Sequence, residues 1–141
     1  MKQLIKKHET KLRFLVVGGA NTAIDFAILF ILTALGLNKI VANVISTGVA
    51  FVFSFIANRQ FTFKNGDANV RKQFILFTVV TLFGLWIIQP LIIWQVTGLI
   101  GDAIPSEQVV LFIAKILATV ASLIWNYVFY SRIVFKHTEK K

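Results

Sequence analysis

Apolar residues along this chain neither alternate with polar ones nor mark a single stripe; they run in four blocks broken by isolated polar positions, at about 14–37, 40–63, 74–100 and 109–135. Each block reaches the ~20 residues that an α-helix needs to cross a ~30 Å hydrocarbon core. The two-residue alternation of a membrane barrel is missing, so the blocks predict helices. The expected fold is an all-α integral membrane protein, a single domain over 1–141 with four transmembrane helices. The first block is too long for a signal-peptide core and lacks a small-x-small cleavage site, which predicts a retained helix.

The polar interruptions are ordered. In "GGANTAID", Gly18, Asn21, Thr22 and Asp25 fall at i, i+3, i+4 and i+7, one helix face. A shift of 72 positions lays the second block over the fourth, matching Ala42 to Ala114, Thr47 to Thr119, Phe63 to Phe135 and Lys64 to Lys136. The same shift sets Asn43, Thr47, Ser54 and Asn58 over Lys115, Thr119, Asn126 and Tyr130, with Ser122 in the place of Ala50. One helical hairpin duplicated in the same orientation explains the pattern, and two parallel repeats would pack about a pseudo-twofold axis normal to the membrane. Polar groups facing hydrocarbon are costly, so the stripes are expected to face one another or a hydrated groove. The third block is plainer, with Thr78, Thr81, Gln89 and an expected kink at Pro90.

Composition narrows the function. Of 141 residues 57% are hydrophobic, too many for a water-soluble fold of this size to hide. A net charge of +9 is of the size seen in nucleic-acid binders, but the cations sit in tails and connections and form no patch, so no nucleic acid is expected as a partner. Lys2, Lys6, Lys7, Lys11 and Arg13 precede the first block, Arg59, Lys64, Arg71 and Lys72 flank the second connection, and Arg132, Lys136, Lys140 and Lys141 close the chain. The other side holds Lys39, Asp102 and Glu107, a bias that puts both termini in the cytoplasm. With no cysteine, and His8 and His137 confined to the tails, no metal site, cofactor or catalytic group is expected.

Besides Arg59 and Arg132 near the block ends, two charges lie deeper within the blocks. Asp25, 11 residues in, sits about 16 Å deep at ~1.5 Å per residue, and Lys115, six residues into the fourth block from the other side, about 9 Å deep. They can pair with each other; Lys115 can instead snorkel outward, or receive an anionic ligand. An ammonium in low dielectric suits a phosphate, and Arg59 and Arg132 either gather the same anion or anchor helix ends. Asn21, Asn58 and Asn126 either bind phosphate and sugar hydroxyls or join helices. Phe14, Phe61, Phe63, Phe135 and Tyr127 cluster near the cytoplasmic ends, where interfacial anchoring explains tyrosine well and phenylalanine less well; Trp86, Trp94 and Trp125 read as packing or lipid contacts, and Gly18 and Gly19 as points of close helix approach.

The segments "FLVVGGANTAIDFAILFIL" at 14–32, "FSFIANRQFTFK" at 53–64 and "WNYVFYSRIVFK" at 125–136 resemble the GtrA-like family over nearly the whole chain. The resemblance implies a multi-pass protein of the bacterial cytoplasmic membrane that serves glycosylation of cell-surface polysaccharide or teichoic acid by moving a polyprenyl-phosphate-linked monosaccharide to the outer leaflet. It implies glycosyltransferase partners, and motif positions at Asn21, Thr22, Asp25, Asn58, Arg59, Lys115 and Asn126. Tyr130-Ser131-Arg132 replaces Asn58-Arg59-Gln60 in the second hairpin, so the two halves need not act alike. Four helices are few for a large head group, which leaves a lateral groove or a homo-oligomer open. The competing expectations are a small proton-coupled exporter with Asp25 as its proton site, and a non-transporting scaffold for a glycosyltransferase.

Overall fold

The computed structural model describes residues 2–66 and 68–136, with side chains from His8 onward. His137, Lys140, Lys141 and the side chains of Lys2, Lys6 and Lys7 lie outside the described residues. Among those residues the chain is all-helical, and four helices are long and apolar enough to cross a membrane: His8–Ala34, Lys39–Thr62, Val70–Ile100 and Glu107–Val134.

The first helix, α1 (Lys2–Ala34), begins well before the apolar block at 14, because Lys, Gln and Glu extend a helix readily into water. It stops before 37, where Gly36 takes φ 91 and the Gly36 and Leu37 amides bond the Thr33 and Leu32 carbonyls. That crossed pair is a Schellman ending, and the left-handed residue it requires is the one glycine accepts at little cost. Asn38 then caps α2 (Lys39–Ala57), its side chain accepting from the Ile40 amide at 2.9 Å.

α2 widens into a π-helical turn, π1 (Asn58–Thr62), closed by a bond from the Phe63 amide to the Asn58 carbonyl. The third span is α3 (Val70–Phe83), π2 (Gly84–Ile88) and α4 (Gln89–Ile100). The fourth is α5 (Glu107–Phe129) and π3 (Tyr130–Val134), closed by the Phe135 amide on the Tyr130 carbonyl. Side chains of Asn69 and Ser106 cap α3 and α5. The irregularity expected at Pro90 is π2, which ends one residue before α4 opens on Gln89-Pro90; a helix that must pass a proline relieves the lost amide in this way.

The chain divides into two compact units, Met1–Ala68 and Asn69–Lys141. In the first, α1 packs along α2, and the face that α2 buries carries Ala42, Ser46, Ala50 and Phe55. In the second, α5 packs against α4 and π2, and it buries Val110, Ala114, Ala118 and Ser122. Small side chains at four-residue spacing let backbones approach closely, which drives helix association where lipid supplies no hydrophobic force. Large apolar side chains point outward instead, among them Phe30, Ile40, Trp86, Trp94 and Leu99. This is the arrangement of a multi-pass membrane protein.

Two expectations change here, those for the phenylalanines and for the paired glycines. The contact seam inside each unit is the Ala/Ser line, one residue back from the polar stripe; Asn43, Thr47, Lys115 and Thr119 are exposed, whereas Asn58 and Tyr130 are buried. At 3.6 residues per turn Asn58 has rotated about 60° from Asn43, so one straight stripe cannot stay on one contact face. Phe14, Phe63 and Phe135 are core side chains and not surface anchors. Gly18 and Gly19 have no neighbour of their own unit within 4 Å of where a Cβ would stand, so neither marks the approach of α1 to α2.

Candidate functional site

In the first unit the polar groups form two clusters. Midway along α1, Thr22 donates to the Gly18 carbonyl at 3.1 Å, and Asp25 accepts from the Thr47 hydroxyl at 3.4 Å. The amide oxygen of Asn21 is buried and takes no hydrogen bond. At the far end of α2, Asn58 is 2% exposed and its Nδ2 donates to the Ser54 carbonyl at 2.8 Å and the Ser54 hydroxyl at 3.3 Å. A carbonyl can only accept, so the nitrogen of Asn58 must face it and the oxygen is the atom left open. That oxygen and the Thr62 hydroxyl are buried without partners.

The cations beside this end serve the backbone. Arg59 donates to the carbonyls of Gly66 and, at 3.1 Å, Ala68, fastening the connection that follows Lys64, a residue in the left-handed region at φ 50. Arg13 pairs with Glu9, donates to the Phe61 carbonyl at 2.9 Å and lies 4.8 Å from the centre of the Phe61 ring.

In the second unit, Lys115 donates from Nζ to Gln89 Oε1 at 2.8 Å, and the Thr119 hydroxyl bonds the Lys115 carbonyl. One turn further, Gly84 in π2 meets α5: a Cβ there would stand 2.9 Å from Ser122 Oγ and 3.2 Å from Asn126 Oδ1. The oxygen of Asn126 is therefore sealed against a bare glycine face, buried and without a hydrogen bond. Trp125 donates to the Val80 carbonyl at 3.1 Å and stacks on Phe83 at 4.7 Å. Beyond it, the Tyr130 hydroxyl bonds that of Thr81, and its ring lies 4.7 Å from Phe77. Arg132 is exposed, and a shallow depression of about 280 Å³ opens over Asn69, Arg71, Lys72, Ile75 and Leu76.

The arrangement sets Asp25 and Lys115 each against a neutral partner of its own unit, and leaves amide oxygens unfilled within helices of membrane length. Among the described residues no group of three or more His, Cys, Asp or Glu side chains could hold a metal ion. Residues 13–135 match the family described as GtrA/DPMS, transmembrane domain. The chain belongs to that family. It is also similar to the uncharacterized membrane protein YngA of Bacillus subtilis (strain 168), 28% identical over 125 residues that cover 89% of this chain and 78% of YngA. GtrA/DPMS membership links the chain to the handling of lipid-linked sugars in glycosylation. Thr81 and Gln89 were legible only as polar positions of the plainer third block, without a role, and Gly84 carried no sign at all.

Proposed function

We propose that this protein translocates a polyprenyl-phosphate-linked monosaccharide from the cytoplasmic to the outer leaflet of a bacterial cytoplasmic membrane, supplying a glycosyltransferase that decorates cell-surface polysaccharide or teichoic acid. The observation that carries the proposal is the set of buried, unfilled amide oxygens of Asn21, Asn58 and Asn126 inside helices of membrane length, in a chain of the GtrA/DPMS family. An orphan acceptor in hydrocarbon costs free energy, and hydroxyl donors on a sugar would relieve that cost as the head group passes.

The roles divide by chemistry. Asparagine oxygens, Asp25 and Thr22 address sugar hydroxyls, Lys115 addresses the phosphate, and Arg132 collects the anion where the fourth span leaves the membrane. The Lys/Arg bias supports cytoplasmic termini. Two π-helical turns, Asn58–Thr62 and Tyr130–Val134, recur at the 72-residue shift, each closed by a phenylalanine amide, and this recurrence supports a duplicated hairpin. The prenyl tail would stay in lipid beside a polar track, with consumption of the sugar outside drawing the exchange forward.

The test is reconstitution. Purified protein in liposomes that carry a polyprenyl-phosphate sugar in one leaflet should speed its appearance in the other, read by an impermeant reagent that modifies only outward-facing sugar. Exchange no faster than in protein-free liposomes, across several lipid compositions, would overturn the proposal.

A further inference from the structure

We infer that Gln89 and Lys115 together form an intramembrane receptor for a phosphate group on a lipid, in which Gln89 aims the ammonium without neutralising it; this rests on the translocation reading above. Lys115 lies within a membrane-length helix, where an ammonium normally finds a carboxylate or reaches for water. Here its partner is a neutral amide at 2.8 Å. The two described carboxylates of the same unit, Asp102 and Glu107, join no ion pair. Among the described residues of this unit, an anion entering the pair therefore meets no carboxylate already bound to the ammonium.

The amide orientation is fixed by chemistry. An ammonium has donors only, so the atom facing it must be Oε1, and the Nε2 of Gln89 is turned outward with two N–H donors. Nε2 takes no partner among the described residues. Together with the remaining N–H groups of Lys115, which is exposed along the side of α5, this makes a forked donor set suited to phosphate oxygens.

The backbone is built to place Gln89. π2 ends at Ile88, the Gln89 amide reaches back five residues to the Gly84 carbonyl, and Pro90 follows. The π turn adds one residue to the helical register and so rotates everything after it by about 100° relative to an uninterrupted helix. Gln89 is the first residue to benefit. The residue before a proline is also disfavoured in the helical region, yet Gln89 holds φ −62 and ψ −51.

The deciding experiment compares Gln89→Glu with wild type. A purely structural hydrogen bond to Lys115 would be preserved or strengthened by the carboxylate; a phosphate receptor would be cancelled by it. Binding is measured on detergent-solubilised protein by native mass spectrometry, with undecaprenyl phosphate as the probe, undecaprenol as its uncharged counterpart and inorganic phosphate as the headgroup alone. Wild type should hold undecaprenyl phosphate at least tenfold more tightly than undecaprenol and retain inorganic phosphate weakly. Gln89→Glu should melt at or above the wild-type temperature and lose at least tenfold in undecaprenyl phosphate affinity. Lys115→Met should lose as much, which keeps the test decisive if the glutamate variant does not fold. Equal binding of phosphate and alcohol, or a folded variant of either kind that binds as wild type does, overturns the receptor. Leaflet exchange by a protein whose binding ignores both substitutions would leave translocation standing without this site; charge-dependent binding without exchange would leave the site and remove translocation.

Discussion

The two hairpins bury the same kind of seam, Ala42, Ser46 and Ala50 in one and Ala114, Ala118 and Ser122 in the other, yet they differ in what they do with charge and with their ends. The first holds a carboxylate, Asp25, against a threonine hydroxyl, and its end is tied by Arg13 over Phe61 and by Arg59 on loop carbonyls. The second holds an ammonium, Lys115, against a glutamine, and its end is sealed by Tyr130 packed on Phe77 with Phe135 close by. The difference teaches that a common scaffold of small residues leaves the polar positions free to diverge. The open groups of the first hairpin are the amide oxygens of Asn21 and Asn58, whereas the second sets an ammonium, Lys115, on the same helix as its open amide oxygen, Asn126.

The comparison breaks first at its aromatic end. Phe77 is 1% exposed between Tyr130 and Phe135, so Phe77→Ala should cost about 3 kcal/mol or more, read as a lowered midpoint for denaturant unfolding in micelles. No comparable loss is expected from Phe61→Ala, whose ring is exposed beneath Arg13.

Glycine gives the next contrast. Gly84→Ala should destabilise by about 1–2 kcal/mol, since the new methyl must displace Ser122 Oγ and Asn126 Oδ1. Gly18→Ala and Gly19→Ala meet open space and should be neutral or stabilise by up to about 1 kcal/mol through helix propensity. Equal effects at the three positions would show that π2 does not approach α5 as described. Smaller still, Trp125→Phe should keep the stack on Phe83, lose the bond to the Val80 carbonyl and cost about 1 kcal/mol.

The four spans were legible from sequence because lipid demands a long apolar run and nothing else in the chain resembles one. The seams were not, since Ala42, Ser46 and Ala50 carry no signal stronger than that of their neighbours; the conspicuous stripe of Asn43 and Thr47 drew attention to the adjacent face. π turns leave no compositional mark, and π2 is what brings Gln89 to Lys115, a pairing invisible in a register counted at 3.6 residues per turn. The glycine pair in "GGANTAID" suggested a contact on general grounds, whereas the glycine that touches another helix is the single Gly84. Asn21, Asn58 and Asn126 were visible as polar interruptions, but their common property, a buried oxygen with nothing to accept, emerges from the packing.

The most direct measurement is the rate at which a polyprenyl-phosphate sugar changes leaflets in liposomes containing wild-type protein or Lys115→Met, at matched protein content and orientation. The account predicts protein-dependent exchange that falls at least tenfold in the variant while its melting temperature holds. Exchange at the wild-type rate in a folded Lys115→Met protein, or none from wild type, would contradict it.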